Sequence, residues 1–181
     1  TYDAEIQSFL LHMGGFVAFT PAMAAAVTGK DTASATLLRL LDLGSYMIPD
    51  GAGGYMVQEF MHNYLLDLQR RRCSREFIAE QFNRAGDFWA AQGELLKALD
   101  AYRMSENWDA MVRLMLDDAR GDWEIRYAGV GVLARVFAAQ GEMPRAQELL
   151  QGFQRQLGDE PLKRLRSNLR AQEVRMGLRR G

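Results

Sequence analysis

Residues 89 to 98, WAAQGELLKA, recur 48 positions later as FAAQGEMPRA at residues 137 to 146. In each copy an aromatic residue leads into Ala-Ala-Gln-Gly-Glu, and a basic residue followed by alanine closes the segment. The glycine predicts the end of one helix, because it enters the left-handed backbone region without steric cost, and the glutamate after it starts the next helix. Small Ala98 and Ala146 allow the two helices to approach closely. A duplication of this kind restricts the chain to antiparallel helical hairpins stacked as a short solenoid, an architecture that commonly offers a concave face to a partner.

The flanking periodicity agrees. Apolar residues at three-and-four spacing predict helices over 76–91 (Ile78, Phe82, Ala85, Trp89), 95–104 (Leu95, Leu99, Tyr102) and from Trp108 onward (Met111, Val112, Met115). Three more are expected at 123–140 (Trp123, Tyr127, Val130, Leu133, Phe137), at about 144–157 (Ala146, Leu149, Leu150, Phe153, Leu157) and at about 161–178 (Leu162, Leu165, Leu169). Each apolar face covers about a third of its helix, as expected for helices that pack on neighbours.

The first seventy residues follow a different plan. AEIQSFLLHM at 4–13 predicts a helix with Ile6, Phe9, Leu10 and Met13 on one face. After Gly14-Gly15 and a short apolar link, Pro21 marks a second helix start, and Gly29 ends that helix in the left-handed conformation. A third helix, capped by Asp31 or Thr32, carries Leu37, Leu40 and Leu41. SYMIPD and YMVQEF around the turn GAGG then predict two short strands. Three helices followed by a hairpin outline a winged-helix domain. The expected fold is therefore mainly α: a winged helix over 1–68, then tetratricopeptide-like (TPR-like) helical hairpins over 69–181.

Much chemistry is excluded by what the chain lacks. Gly29-Lys30 resembles part of a phosphate-binding loop, but Ala24 stands where the first glycine belongs and Asp31 replaces the magnesium-binding hydroxyl. There are two histidines, His12 and His62, and one cysteine, and no HExxH, GxSxG or paired-cysteine motif. His12 reads as a rim residue, and the methionines, among them Met104, Met111 and Met115, as gap-filling core. Asp117, Asp118 and Asp122 lack the spacing of a calcium loop. Cys73, between Arg72 and Arg75, has a basic setting that would lower its pKa, but no nearby histidine. No active site, metal site or bound cofactor is expected.

A single cysteine and no apolar run longer than the 12 residues 16–27 fit a cytoplasmic protein with no membrane contact. Residues 161–181 hold seven Lys/Arg against one acid, a local +6 on a chain of net −1, so the remainder stands at −7. A partner surface on that tail would use Lys163, Arg164, Arg166 and Arg170, with Arg70, Arg71 and Arg72 as a second basic stretch. Residues 32–61 carry one basic residue, Arg39, against Asp42, Asp50 and Glu59, so phosphate backbone would repel this winged helix and direct DNA binding is not expected.

The stretch FLLHMGGFVAFTPAMAAAVTGKDTASATLLRLLDLGSYMIPDGAGGYMVQEFMHNYLL, 9 to 66, resembles the winged-helix segment of the large ATP-dependent bacterial transcription regulators related to the maltose activator. These are signal-transduction ATPases of the STAND class. The likeness continues through NRAGDFWAAQGELLKALDAYRMSENWDAMVRLML at 83–116, and from about 120 onward is to TPR-type repeats generally.

The resemblance implies a fragment of a longer regulator, transmitting the binding of an inducer or protein on the repeats to its own ATPase module. ATP or ADP would sit on that module, which the 181 residues do not include. It also implies that the winged helix holds the resting state instead of reading DNA. Where the family carries an aromatic and a histidine pair near the nucleotide phosphates, this chain has Gln58 and Glu59, with His62 one turn later as a possible substitute. Two other readings follow from the residues: a nucleic-acid-binding winged helix, and a stand-alone TPR-type adaptor.

Overall fold

The computed structural model describes residues 2–44, 46–116 and 123–157. Two compact units divide the chain, Thr1–Asn107 and Trp108–Gly181.

The first unit opens with α1 (Ala4–Met13), which starts where the Asp3 carboxylate accepts from the Ile6 N–H at 2.9 Å. That bond, more than the nearby Arg39 guanidinium, holds the Asp3 pKa below the ordinary aspartate range. Helix α2 (Pro21–Thr28) has the Thr20 hydroxyl accepting from Met23 N–H, Pro21 in its first turn, and Gly29 at φ +66° closing it with a bond to the Ala25 carbonyl. Helix α3 (Ala33–Asp42) departs from expectation at its start. Thr32 stands at the cap with a helical backbone and no side-chain cap bond, so neither Thr32 nor Asp31 caps it.

Three strands, not two, follow the winged-helix plan: β1 (Ala18–Phe19), β2 (Met47–Pro49) and β3 (Tyr55–Val57), in the antiparallel order β1-β3-β2. The apolar link at 16–20 is the strand missed from sequence; two residues are too few to show alternation. The segment YMVQEF is a strand only to Val57, because α4 (Glu59–Arg72) begins within it. Pairing places Phe19, Met47 and Val57 inward, each buried, and Ala18, Met56 and Ile48 in one outward row. The wing turn is held by Asp50, whose Oδ1 accepts from the Ala52 and Gly54 N–H groups.

Helix α4 packs on α1 through Leu65 and Gln69, and the Gln69 amide donates to the Leu11 carbonyl at 2.6 Å. The expected boundary at 68/69 falls inside this helix. Ser74 caps α5 (Arg75–Ala91), which pairs with α6 (Leu95–Met104). One hydrophobic core runs from Ile6 through Phe16, Phe19, Met23 and Leu37 to Phe82, Ala85 and Ala101, so the α5–α6 hairpin and the winged helix share it. Phe16 and Phe82 meet with ring centroids 4.9 Å apart, and the Arg84 guanidinium donates to the Val27 carbonyl.

The second unit contains α7 (Trp108–Leu116), α8 (Trp123–Ala139) and α9 (Met143–Leu157). Its core includes Met111, Met115, Val130, Leu133, Phe137, Leu149, Leu150 and Phe153. The expected contributions of Trp123, Tyr127 and Leu157 fall outside the described side chains, and the expected helix at 161–178 and acids Asp117, Asp118 and Asp122 fall outside the described residues.

The repeated decapeptide forms the same turn in each unit. Gly93 and Gly141 have φ +76° and +82°. Glu94 N–H donates to the Trp89 carbonyl at 2.9 Å and Glu142 N–H to the Phe137 carbonyl at 2.8 Å, a Schellman closure in both. Lys97 lies over the Trp89 ring and Arg145 over the Phe137 ring, each 4.4 Å from the centroid, and Ala98 and Ala146 are fully buried. A third such turn ends α6, where Asn107 N–H donates to the Tyr102 carbonyl and Glu106, not glycine, takes φ +57°.

Candidate functional site

One residue separates β3 from α4. Gln58 donates its backbone N–H to the Tyr46 carbonyl at 2.9 Å, which ties the wing to the helix start, and its side chain leaves the first turn of α4 uncapped. The Gln58 amide and the Glu59 carboxylate are both exposed. Glu59 places negative charge at the positive end of the helix dipole, an arrangement that stabilises the helix and opposes an incoming phosphate. His62 is one turn on, on the Gln58 side of the helix, and half-buried, and its Nε2 is buried without a hydrogen-bond partner among the described residues. The three thus gather at one helix start, with one amide, one carboxylate and one secluded imidazole.

Around that start lies an exposed apolar surface without a clear sequence signal. Ile48 and Met56, paired across β2 and β3, are about half exposed, and Tyr46 and Phe60 stack edge to face with centroids 4.6 Å apart. Tyr64 continues the surface one turn further along α4. Both faces of these strands are apolar, so alternation alone could not tell the outer one from the core.

Of the basic candidates, those of α4 fall within the described residues. Arg70, Arg71 and Arg72 are exposed in the last turn of α4, where cations complement the helix dipole, and Arg71 pairs with Asp67 at 2.7 Å. Lys163, Arg164, Arg166 and Arg170 lie outside the described residues. Arg39, the base of α3, is bound to Asp3 and Glu5 of the α1 end. At Cys73 the basic neighbours do not lower the thiol pKa: burial raises it. Met104, expected in the core, is half exposed, whereas Met111 and Met115 are buried as expected. His12 is a rim residue, its Nδ1 against the Ser8 carbonyl and its ring edge-on to Phe77.

Beside β1, the α5–α6 hairpin leaves an open cleft of about 480 Å³, floored by Phe16, Phe19 and Phe82 and edged by Trp89 and Met104. Among the described residues no cluster of His, Cys, Asp and Glu could hold a metal ion.

The sequence that forms these three helices, the three-stranded sheet and the wing is matched by a family model. Residues 1–77 match the MalT winged helix domain. This segment is similar to the MalT winged helix domain. No curated protein and no solved structure matches the chain. A MalT winged helix is a regulatory domain type and not a catalytic one, and the match, which covers under half of the chain, supports a fragment of a MalT-like regulator. The matched segment ends three residues into α5, at Phe77, whereas the core it belongs to continues to Ala101. No described helix is long and apolar enough to cross a membrane.

Proposed function

We propose that this chain is the relay segment of a STAND-type regulator, in which helical repeats that receive an inducer or a protein partner act on a nucleotide-binding module through the MalT winged helix. The observation that supports this most directly is the single core shared by the winged helix and the α5–α6 hairpin. A displacement of the hairpin must repack Phe82 against Phe16, and packed cores pass such displacements on because they have little free volume. The exposed apolar side chains of Tyr46, Ile48, Met56, Phe60 and Tyr64 would meet the module beside Gln58 and His62.

Reading DNA is disfavoured by charge. Arg39 is committed to two carboxylates, and the wing turn DGAGG offers an acid and no base. The test uses the full-length regulator loaded with fluorescent ADP. Phe60→Asp at the surface and Phe82→Ala in the shared core should both speed ADP release, while Arg72→Ala should not. ADP release unchanged by both variants would count against the relay, and tight, salt-sensitive binding of random duplex by the 181-residue chain would replace it with the nucleic-acid reading.

A further inference from the structure

We infer that the cleft between β1 and the α5–α6 hairpin is a binding site for a small organic cation with a flat apolar body. Its volume of about 480 Å³ lies within the range of small-molecule pockets, and its floor is aromatic and aliphatic, as such pockets commonly are. Two half-exposed apolar side chains, Val17 and Met104, stand in its lining and would be covered by an occupant.

Charge selects the class. Three charged residues line the cleft: Asp50, Lys97 and Asp100. The Lys97 ammonium is engaged by Glu94 at 3.3 Å and by the Trp89 ring, and Asp100 is paired with Arg103 at 2.7 Å. Asp50 has no ion pair among the described residues. Its Oδ1 is committed to the Ala52 and Gly54 N–H groups, which keep it ionised, and leaves Oδ2 to receive a donor. The uncompensated charge is therefore one carboxylate at the mouth of an apolar cleft. An ammonium held by Asp50 with a planar ring over the phenylalanine floor satisfies both parts, and an anion satisfies only the floor. This inference concerns binding alone and stands whether or not the relay reading does.

The experiment is calorimetric titration of the 181-residue chain with 2-naphthylmethylammonium and, as a probe of similar size and opposite charge, 2-naphthylacetate. The ammonium should saturate one site and bind at least about tenfold more tightly than the carboxylate, as expected for one charge-assisted contact. Asp50→Asn keeps the turn acceptor and should weaken the ammonium by about tenfold. At the exposed rim, Met104→Lys should weaken it and Met104→Glu strengthen it, neither by disturbing the core. Absence of saturable binding, equal or stronger binding of naphthylacetate, or affinity indifferent to both Asp50→Asn and Met104→Lys would overturn the inference.

Discussion

Glu106 holds φ +57°, a conformation that for a residue with a Cβ costs roughly 1–2 kcal/mol. Its neighbour Arg75 holds it in place, but that ion pair is exposed on both sides and contributes little. Glu106→Gly should therefore stabilise the first unit by about 0.5 kcal/mol after the extra flexibility of glycine in the unfolded chain is counted, readable as a raised urea midpoint. Gly93→Ala, at φ +76° in the matching turn, should destabilise it by about 1 kcal/mol. The same direction, for a different reason, is expected at a glycine inside a helix. A Cβ at Gly86 would lie 2.5 Å from the Tyr102 ring, whose hydroxyl is fixed by donation to Asp87 at 2.6 Å, so Gly86→Ala should cost about 1–3 kcal/mol despite its better helix propensity. The left-handed positions at Gly29, Gly93 and Gly141 were legible because glycine advertises them. Glu106 was not, since glutamate carries no signal for positive φ, and the third Schellman turn has no signal in the sequence either.

Among the elements, α5 ties the hairpin to the winged helix, and Phe82→Ala should lower stability by about 3–5 kcal/mol through the cavity left under Phe16. Three acids of the described residues have lowered pKa values, one of them Glu76 in the first turn of α5. Asp3 at the start of α1 and Asp50 in the wing turn both have pKa values lowered mainly by backbone N–H donors, those of Ile6 and Ala52 respectively. A lowered folded-state value means stabilisation that is present above the unfolded aspartate value and lost as pH falls through the folded one. Urea melts between pH 5 and pH 3 should show this loss, and Asp50→Asn should make it shallower. The amphipathic helices could be read from periodicity because each buries one stripe, as Met111 and Met115 or Leu149 and Phe153 do. Strand β1 could not, since only its pairing with β3 distinguishes Ala18–Phe19 from a link. Of the candidate site, the sequence shows that Gln58, Glu59 and His62 stand together at the start of α4, but the apolar surface around them depends on which strand face points outward.

At the level of the whole chain, the first compact unit ends at Asn107 and its core reaches Ala101. A chain cut after residue 107 should fold on its own, with a single cooperative melt followed by circular dichroism. One cut after residue 68 should lose that cooperativity, because it divides α4 and removes Phe82 from its place against Phe16. The wing sheet adds a consequence for assembly. Its outer edge strand β2 ends in Pro49, which has no N–H to donate, and the opposite edge β1 is two residues long. Neither edge offers a useful template for another strand, so a protein that meets this sheet must do so through the side chains of its face. The exposed apolar row can therefore support a defined complex while giving a growing fibre almost no backbone ladder to extend.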